Sequence, residues 1–415
     1  MQTRLLERFL RYVAVTSQSD ASQTVVPSTE GQRRLAELLK QDLAELGLVN
    51  LEISEYSVLT GKLPANLPAG SSEQIPAVGF VAHLDTVDVN LSAAIKPQVV
   101  RSYNGGDICL NAGRGIYLSV AEHPELLKYK GQDIVFSDGT SVLGADNKAA
   151  IANIIVALET LIKNPEMLHG DIYIAFVPDE ECGLRGVKKM DFGKFPVAFA
   201  YTIDCCELGE VVHETFNAGS AVVKIKGISA HPMSAKGVMV NPTLIAVDLV
   251  NSFDRMQTPE HTEGTEGYIW VKSITANQSE AVVKLDIRDH HKNTYEARKR
   301  LIEANVEFLQ KLYPRAGIVC TITDTYGNIA DAINDENRKC IDYIYAAMSE
   351  LEIKPNTIAM RGGTDGSYIS TRGILTPNYF TGGHNFHSNC EFLPLPALEK
   401  SCRMTLKLIE LIAEG

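Results

Sequence analysis

Short apolar strands alternate with an amphipathic helix in the first half of the chain, and this order constrains the fold more than any other feature. Residues 75–82, 171–177 and 197–203 are runs of apolar, β-branched and aromatic residues. Between the first two runs, residues 148–162 repeat apolar side chains at helical spacing. Strands separated by helices predict an α/β fold with a mixed, mostly parallel sheet flanked by helices.

The pattern of predicted strands and helices changes in the middle of the chain. Residues 220–226 and 281–287 alternate in polarity like half-exposed strands, and two helical patterns lie beside them. This pattern predicts an inserted α+β domain. The predicted domains are residues 1–215 with 326–415, and residues 216–325. Within the first domain, the residues from 60 to 76 are rich in Pro, Gly and Ser and predict a surface loop.

Composition excludes several classes of function. The 415 residues contain 51 acidic and 39 basic side chains, a net charge of −12, which argues against a nucleic-acid partner. The sequence has no run of about 18 apolar residues, so we expect no membrane span. The eight cysteines show no C-x-x-C spacing and no export signal precedes them, so we expect reduced thiols in the cytoplasm.

Acidic and histidine side chains stand where predicted strands end or where the helix begins. They form five groups along the chain: His83 with Asp85, Asp146, Glu180 with Glu181, Asp204, and His384 with His387. The carboxyl ends of parallel strands meet at one edge of a sheet. We therefore expect these side chains to converge although they are far apart in the sequence.

The residue types in this set predict a metal centre. Three of its carboxylates could not be buried together without a cation: Asp146, Glu181 and Asp204. Imidazole and carboxylate ligands suit zinc, and a shared carboxylate can hold two ions about 3.5–4 Å apart. Glu180, beside Glu181, remains free to accept a proton. Asp85, two residues after His83, can orient that imidazole.

Further motifs give the chain a resemblance to a known family. They are PSTEG at 27–31, LPAN at 63–66, NGGDI at 104–108, HP at 231–232, AKGVMVN at 235–241 and RGGTDG at 361–366. With the acidic motifs, they make the whole chain resemble the M20 family of dinuclear zinc exopeptidases. The later motifs narrow the resemblance to the tripeptide aminopeptidases of that family.

The resemblance implies a role for each residue of the metal centre. The implied ligands are His83, Asp146, Glu181, Asp204 and His387. Asp146 is implied to bridge two ions, most readily zinc, and a cis peptide bond is implied after it. Glu180 is the implied general base, and Asp85 orients the histidine.

The resemblance also implies a lid and dimerisation role for the inserted domain, which allows a homodimer. His231 on this domain would donate a hydrogen bond to the substrate carbonyl as it becomes an oxyanion. Arg361 would hold the C-terminal carboxylate of the peptide, a task suited to a guanidinium group. Arg288 is a weaker candidate for substrate binding.

Some positions depart from the family pattern. Asn147 stands where relatives often have a second aspartate, Cys205 and Cys206 follow Asp204, and Cys390 lies shortly after His387. These changes leave the five ligands in place. We expect the remaining histidines to lie at the surface, and His384 to lie beside the ligands or exposed. The histidines expected at the surface are His123, His169, His213, His261, His290 and His291.

The leading hypothesis is a zinc-dependent aminopeptidase that releases the N-terminal residue from tripeptides. Two alternatives keep the chemistry and change the substrate: a dipeptidase and a deacylase of N-acyl amino acids. A catalytically silent metal-binding relative and a two-metal phosphoesterase belong to other classes. An intact Glu180 argues against the silent relative, because such a protein needs no base beside its metals.

Overall fold

The computed structural model describes residues 1–67 and 75–415. Contacts divide them into two compact units. The larger unit comprises residues 1–213, 333–358 and 364–415, and the smaller unit comprises residues 214–332 and 359–363. The smaller unit therefore extends past both ends of the predicted domain at 216–325, and its short second segment contains Arg361.

The described residues form eight α-helices and seventeen strands. The helices are α1 (Gln2–Val13), α2 (Glu30–Glu45), α3 (Ala145–Lys163), α4 (Pro242–Asn251), α5 (Lys292–Leu312), α6 (Lys339–Glu350), α7 (Asp365–Ser370) and α8 (Leu395–Glu414). The strands are β1 (Val49–Ile53), β2 (Leu59–Leu63), β3 (Val78–His83), β4 (Pro97–Val100), β5 (Ile108–Asn111), β6 (Ile116–Leu118), β7 (Ile134–Ser137), β8 (Ile172–Val177), β9 (Phe199–Cys205), β10 (Glu210–Thr215), β11 (Asn217–Lys226), β12 (Tyr268–Ala276), β13 (Glu280–Asp289), β14 (Gly317–Tyr326), β15 (Asn356–Met360), β16 (Asn378–Phe380) and β17 (Phe392–Pro394).

An eight-stranded sheet with the order β1-β2-β8-β3-β9-β16-β10-β15 forms the framework of the larger unit. Its central strands β8, β3, β9 and β16 are parallel, and antiparallel pairs extend it on both sides. Helix α3 packs against β3 and β9, while α1 and α8 pack against α3. The predicted mixed, mostly parallel sheet flanked by helices is confirmed.

The burial of these elements follows from their composition. Every residue of β3 is buried, as expected for a central parallel strand covered on both faces. Helix α3 is rich in Ala and Ile and is buried along nearly its whole length. The loop predicted at 60–76 is wrong for residues 60–63, which belong to β2, and its residues 68–74 lie outside the described residues.

Two small sheets add a second core to the larger unit. Strands β17, β7 and β4 form one antiparallel sheet, and β5 pairs with β6 in the other. Their apolar residues surround Phe136 and Phe392, whose rings are stacked with centroids 5.7 Å apart. This core holds the segment that leads from β16 to β17 and carries His387.

The smaller unit is built on a four-stranded antiparallel sheet in the order β12-β13-β11-β14. Helices α4 and α5 pack on this sheet through a continuous apolar core that includes Val223, Leu285 and Ile302. Alternation in β13 places every second side chain in that core. Among the described residues, no helix of either unit is long and apolar enough to cross a membrane.

Candidate metal centre

Strand register brings the predicted site residues to one edge of the parallel sheet. Strands β3 and β8 pair with His83 opposite Val177, and β9 lies on the other side of β3. Asp85 and Glu180 therefore follow immediately after neighbouring strand ends, and Asp204 lies in the last residues of β9. His387 reaches the same edge from the segment after β16, which is parallel to β9.

Two groups of candidate ligand atoms share Asp146. One contains His83, Asp146 and Asp204, and the other contains Asp146, Glu181 and His387, with the atoms of each group within 4.8 Å of one another. The two carboxylate oxygens of Asp146 face different histidines: Oδ1 lies 2.8 Å from His83 Nε2, and Oδ2 lies 3.0 Å from His387 Nε2. A carboxylate placed in this way can serve two ions at once.

The donor set fits two divalent cations. His387 Nε2 lies 2.9 Å from Glu181 Oε1, and His83 Nε2 lies 3.7 Å from Asp204 Oδ1. Ligand atoms around a tetrahedral zinc ion are about 3.3 Å apart, so small adjustments would accommodate one. The imidazole nitrogens and carboxylate oxygens of this set are donors that zinc accepts.

Electrostatics in the site point to the same conclusion. Burial and the charge of Asp146 raise the pKa of Glu181 to about 8 and the pKa of Asp204 to about 6. Hydrogen bonds to Asp146 and Glu181 raise the pKa of His387 to about 11. These shifts share one cause, which is negative charge concentrated in a buried space. Divalent cations would neutralise that charge.

The main chain around Asp146 is held in an unusual conformation by one buried acid. The peptide bond between Asp146 and Asn147 is cis, as the resemblance implies, and both residues have non-helical dihedral angles at the start of α3. The Glu391 carboxylate accepts hydrogen bonds from the main-chain N–H groups of Leu143, Gly144 and Asp146 at 2.6, 2.9 and 3.2 Å. Glu391 thereby fixes the loop that presents the shared ligand.

Asp85 contacts both the histidine and the loop of the candidate base. Its main-chain oxygen lies 3.0 Å from His83 Nδ1, and its carboxylate lies 3.4 Å from the same nitrogen. The carboxylate also accepts hydrogen bonds from the main-chain N–H groups of Glu180 and Glu181, at 3.0 and 3.2 Å. Burial, with the charges of Glu181 and Asp204, raises the pKa of Glu180 well above its usual range.

Asn147 uses both ends of its side-chain amide. Nδ2 donates to the Ile203 main-chain oxygen and to Asp204 Oδ1, both at 2.8 Å, and Oδ1 accepts from the His83 main-chain N–H at 3.3 Å. An ionised aspartate could not donate the first two hydrogen bonds. The departure from the family pattern at this position therefore links two candidate ligands on neighbouring strands.

The predicted substrate residues lie in the smaller unit and are described there by themselves. His231 is exposed, and its Nδ1 accepts a hydrogen bond from the Met233 main-chain N–H at 3.2 Å. In the neutral imidazole, the proton is then on Nε2, which is left as a donor. Arg288 is half-buried, donates from Nη1 to the main-chain oxygens of Gly219 and Ile287, and lies over Tyr326.

Arg361 is held over two aromatic rings by its own unit. Its guanidinium lies 5.1 Å from the centre of the Phe216 ring and 5.6 Å from that of Tyr268. Three of its five N–H groups donate to acceptors in residues 262–266, at 2.7 to 3.1 Å. Among the described residues, this leaves Nε–H and one Nη2–H of Arg361 for a further acceptor.

The sequence profile described as Peptidase family M20/M25/M40 matches residues 144–411, from the loop before the shared aspartate to the last helix. The chain belongs to this family. A peptidase T-like protein of Yersinia pestis is 52% identical to it over 98% of this chain and 97% of its own length. Peptidase T of Caldanaerobacter subterraneus is 42% identical over 99% of this chain and 98% of its own. The M20 resemblance drawn from the motifs is confirmed.

Solved structures show the same M20 fold. A tripeptidase from Staphylococcus aureus has a TM-score of 0.75 at 22% identity and covers 100% of this chain and 99% of its own. A protein from Bacillus subtilis described as a dinuclear metal-binding peptidase of the M20 family has a TM-score of 0.65 at 12% identity, over 100% and 98%. These likenesses extend over both units of the chain.

The M20 motifs indicate most of the candidate ligands but not the residues that hold them. From the sequence, Asn147 is only a departure from the family pattern and Glu391 has no assigned role, because nothing in the sequence signals which distant residues they contact. Two expectations about histidines are corrected by burial, because His169 and His290 are 3% and 1% exposed rather than at the surface. Of the two positions expected for His384, exposure is excluded: it is 1% exposed, with Nε2 2.5 Å from the Tyr129 hydroxyl.

Proposed function

We propose that this chain is a zinc-dependent aminopeptidase that releases the N-terminal residue from tripeptides. The observation that carries the proposal is the division of Asp146 between two histidines, with Glu180 on the adjoining loop. This arrangement suits hydrolysis at a pair of metal ions. Relatives named peptidase T, at 40 to 42% identity over nearly the full chain, support the substrate class.

Five side chains would hold two zinc ions: His83, Asp146, Glu181, Asp204 and His387. When bound, the ions polarise a substrate carbonyl and make water a stronger acid. Asp146 would be shared between the ions, because each of its oxygens already faces a different histidine. His83 is oriented by its Nδ1 contact with the Asp85 main-chain oxygen.

Glu180 would act as the general base. Its raised pKa makes the ionised carboxylate a stronger base than an ordinary glutamate. The carboxylate would take a proton from the attacking water and give it to the leaving amine nitrogen as the peptide bond breaks. Asp85 fixes the position of Glu180 by accepting a hydrogen bond from its main-chain N–H.

Residues of the smaller unit would bind the substrate, which gives that unit its proposed role as a lid. His231 offers an Nε2–H donor for the carbonyl oxygen of the scissile bond as negative charge develops there. Arg361 retains two N–H groups for the C-terminal carboxylate of a short peptide, and Arg288 is a second cation of the same unit.

The cellular setting and assembly belong to the same proposal. All eight cysteines are free, which supports a reducing compartment such as the cytoplasm. Helix α5 exposes Leu301, Phe308 and Leu312, an apolar stripe that supports a homodimer through the smaller unit. Size-exclusion chromatography with light scattering would distinguish a dimer from a monomer.

Hydrolysis of four peptides by zinc-loaded protein tests the proposed function. The substrates are Ala-Ala-Ala, Ala-Ala, N-acetyl-Ala-Ala-Ala and tetra-alanine. We expect cleavage of Ala-Ala-Ala alone, with free alanine and Ala-Ala as products. Cleavage of Ala-Ala or the acetylated peptide would support a dipeptidase or a deacylase instead, and cleavage of none would support the silent relative.

A further inference from the structure

The segment from Val15 to Gln32, which we call the strap, contacts the loops of the candidate metal centre. It contains the PSTEG motif, to which the proposed mechanism assigns no role. Its hydrogen bonds include four to two of these loops. Lys148 Nζ donates to the Val15 oxygen at 2.7 Å, and Ser17 Oγ donates to the Leu84 oxygen at 2.7 Å. Thr86 N donates to the Ser17 oxygen at 3.3 Å, and Ser19 N donates to the Thr86 oxygen at 3.0 Å. The strap therefore reaches the residue two positions after Asp146 and both neighbours of Asp85.

The strap also contacts a third loop, residues 179–181. Ser28 and Gln32 of the strap bind Asp179 in this loop. This aspartate is fully buried and directly precedes Glu180. Its carboxylate accepts hydrogen bonds from the Ser28 main-chain N–H at 2.7 Å, from the Ser28 hydroxyl and from Gln32 Nε2 at 2.7 Å. Its main-chain N–H donates in return to Gln32 Oε1 at 2.8 Å. Gln32 thus binds Asp179 at both its main chain and its side chain.

These hydrogen bonds act on a residue with a demanding conformation. Asp179 has a φ of 54°, in the left-handed region that non-glycine residues seldom adopt. The next two residues are held from the other side, because the Asp85 carboxylate accepts their main-chain N–H groups. The loop that presents Glu180 is therefore clamped between the strap and Asp85.

The start of α2 is itself seated closely on the strap. A Cβ atom on Gly31 would lie 1.8 Å from the Thr16 main-chain oxygen, so the helix can approach only because this residue is glycine. Gln32 is fully buried as a result. The PSTEG motif thus supplies a serine that binds Asp179 and a glycine that brings Gln32 within reach of it.

We propose that Gln32 and Ser28 are positioning residues for the general base. They act through Asp179, whose main chain leads directly into Glu180, and they touch neither substrate nor metal. The inference rests on the proposed function for its catalytic consequence. Its structural content, that the strap holds the loop of residues 179–181 in place, stands independently of the reaction.

Two substitutions of Gln32 test its donor and acceptor groups in different ways. Gln32→Met keeps the length of the side chain and removes donor and acceptor, whereas Gln32→Glu keeps the acceptor and places a carboxylate against Asp179. Because a displacement of about 1 Å at a reacting group can cost on the order of 100-fold in rate, we expect kcat for Ala-Ala-Ala to fall 10- to 100-fold in both. The larger fall should occur in Gln32→Glu, with KM and zinc content within about twofold of wild type.

Gln310 provides the matched control. It makes three hydrogen bonds within the smaller unit, to the main chain of Tyr313, Ala316 and Ile318. Gln310→Met and Gln310→Glu repeat the same chemical changes within the smaller unit. We expect kcat within about twofold of wild type for both control variants, because the three hydrogen bonds of Gln310 join residues of the smaller unit only.

Hydrogen-exchange mass spectrometry gives a readout that needs no turnover. In Gln32→Met, a peptide covering residues 178–186 should exchange faster than in wild type, while Gln310→Met leaves it unchanged. If the wild type hydrolyses none of the four peptides, the proposed function fails, but faster exchange in that peptide still supports the strap. Unchanged exchange together with unchanged kcat in both Gln32 variants would overturn the inference, as would faster exchange spread over the whole larger unit.

Discussion

At the scale of single residues, Glu180 and Glu181 show how two adjacent acids come to have different surroundings. Glu181 turns its carboxylate to His387 at 2.9 Å and joins a group of candidate ligands. Glu180 follows a left-handed residue and has its main chain fixed by Asp85. The direction of each side chain is therefore set by its own main-chain surroundings, and the two charges repel each other in a buried site.

Substitution of Glu180 tests its proposed role as the general base. We expect Glu180→Ala to lower kcat by about 10²–10⁴-fold, the range attributed to general base catalysis, while two zinc ions per chain remain bound. Glu45→Ala, an exposed position at the end of α2, serves as the control and should leave kcat unchanged. A tenfold or smaller loss of kcat in Glu180→Ala would contradict the assignment of the base.

Arg361 has two candidate tasks that kinetics can separate. If its remaining N–H groups hold the substrate carboxylate, Arg361→Ala should raise KM for Ala-Ala-Ala by about 10- to 100-fold, as for loss of a charged hydrogen bond. KM for the C-terminal amide of the same peptide should change little. If Arg361 only anchors residues 262–266, KM should change equally for both substrates. Arg403→Ala, which breaks a surface ion pair on α8, is the control.

The candidate ligands that the sequence predicts best are those that stand at the ends of predicted strands. His83, Asp204 and Glu181 stand at ends of apolar runs, so strand geometry alone predicts that they converge. Gln32 and Glu391 act on residues more than 100 positions away in sequence. Their roles depend on which loops meet in space, and no local pattern records that.

At the scale of elements, burial decides which strands the sequence reveals. Strands β3, β8 and β9 were predicted within a few residues because their apolar runs are continuous. Strand β12 was not predicted, because most of its residues are exposed and no alternation stands out. The start of α3 also differs from a simple helix, since the residues that carry the shared ligand have non-helical angles.

Glu391, the residue directly before β17, should stabilise the conformation of the loop that leads into α3. In Glu391→Gln, one charged acceptor of three main-chain N–H groups becomes a neutral amide, and we expect the free energy of unfolding to fall by about 1–3 kcal/mol. Zinc affinity should fall as well, because Asp146 loses its support. Denaturant unfolding and metal titration measure the two effects. Glu399→Gln on α8 is the control. It should change the free energy of unfolding by no more than about 0.5 kcal/mol and leave the zinc affinity unchanged.

At the scale of the whole molecule, metal binding should stabilise the larger unit. Three carboxylates crowd the candidate centre, and a ligand present at 1,000 times its dissociation constant adds about 4 kcal/mol to stability. We expect a chelator to lower the unfolding temperature of that unit by on the order of 5–10 °C. Differential scanning calorimetry with and without zinc measures the shift. Asp146→Ala should show no shift, and an equal shift in this variant would place the metal elsewhere.

The division into units was the part of the architecture least accessible from the sequence. The change of strand pattern near residue 216 marks one boundary clearly, because half-exposed strands replace buried ones. The second boundary, predicted after residue 325, lies at residue 332, and nothing in the sequence signals that residues 359–363 join the smaller unit as a separate short segment. Arg361 is therefore assigned to its unit by the three-dimensional structure and not by its place in the chain.

The candidate ligands also fix the order in which a newly made chain can mature. The first of them in the chain is His83, and the last is His387, which follows β16. Synthesis must therefore reach residue 387 before the second group of candidate ligands is complete. A chain truncated before residue 387 would present Asp146 with only one histidine, so occupancy of both metal positions would report that synthesis had passed this residue.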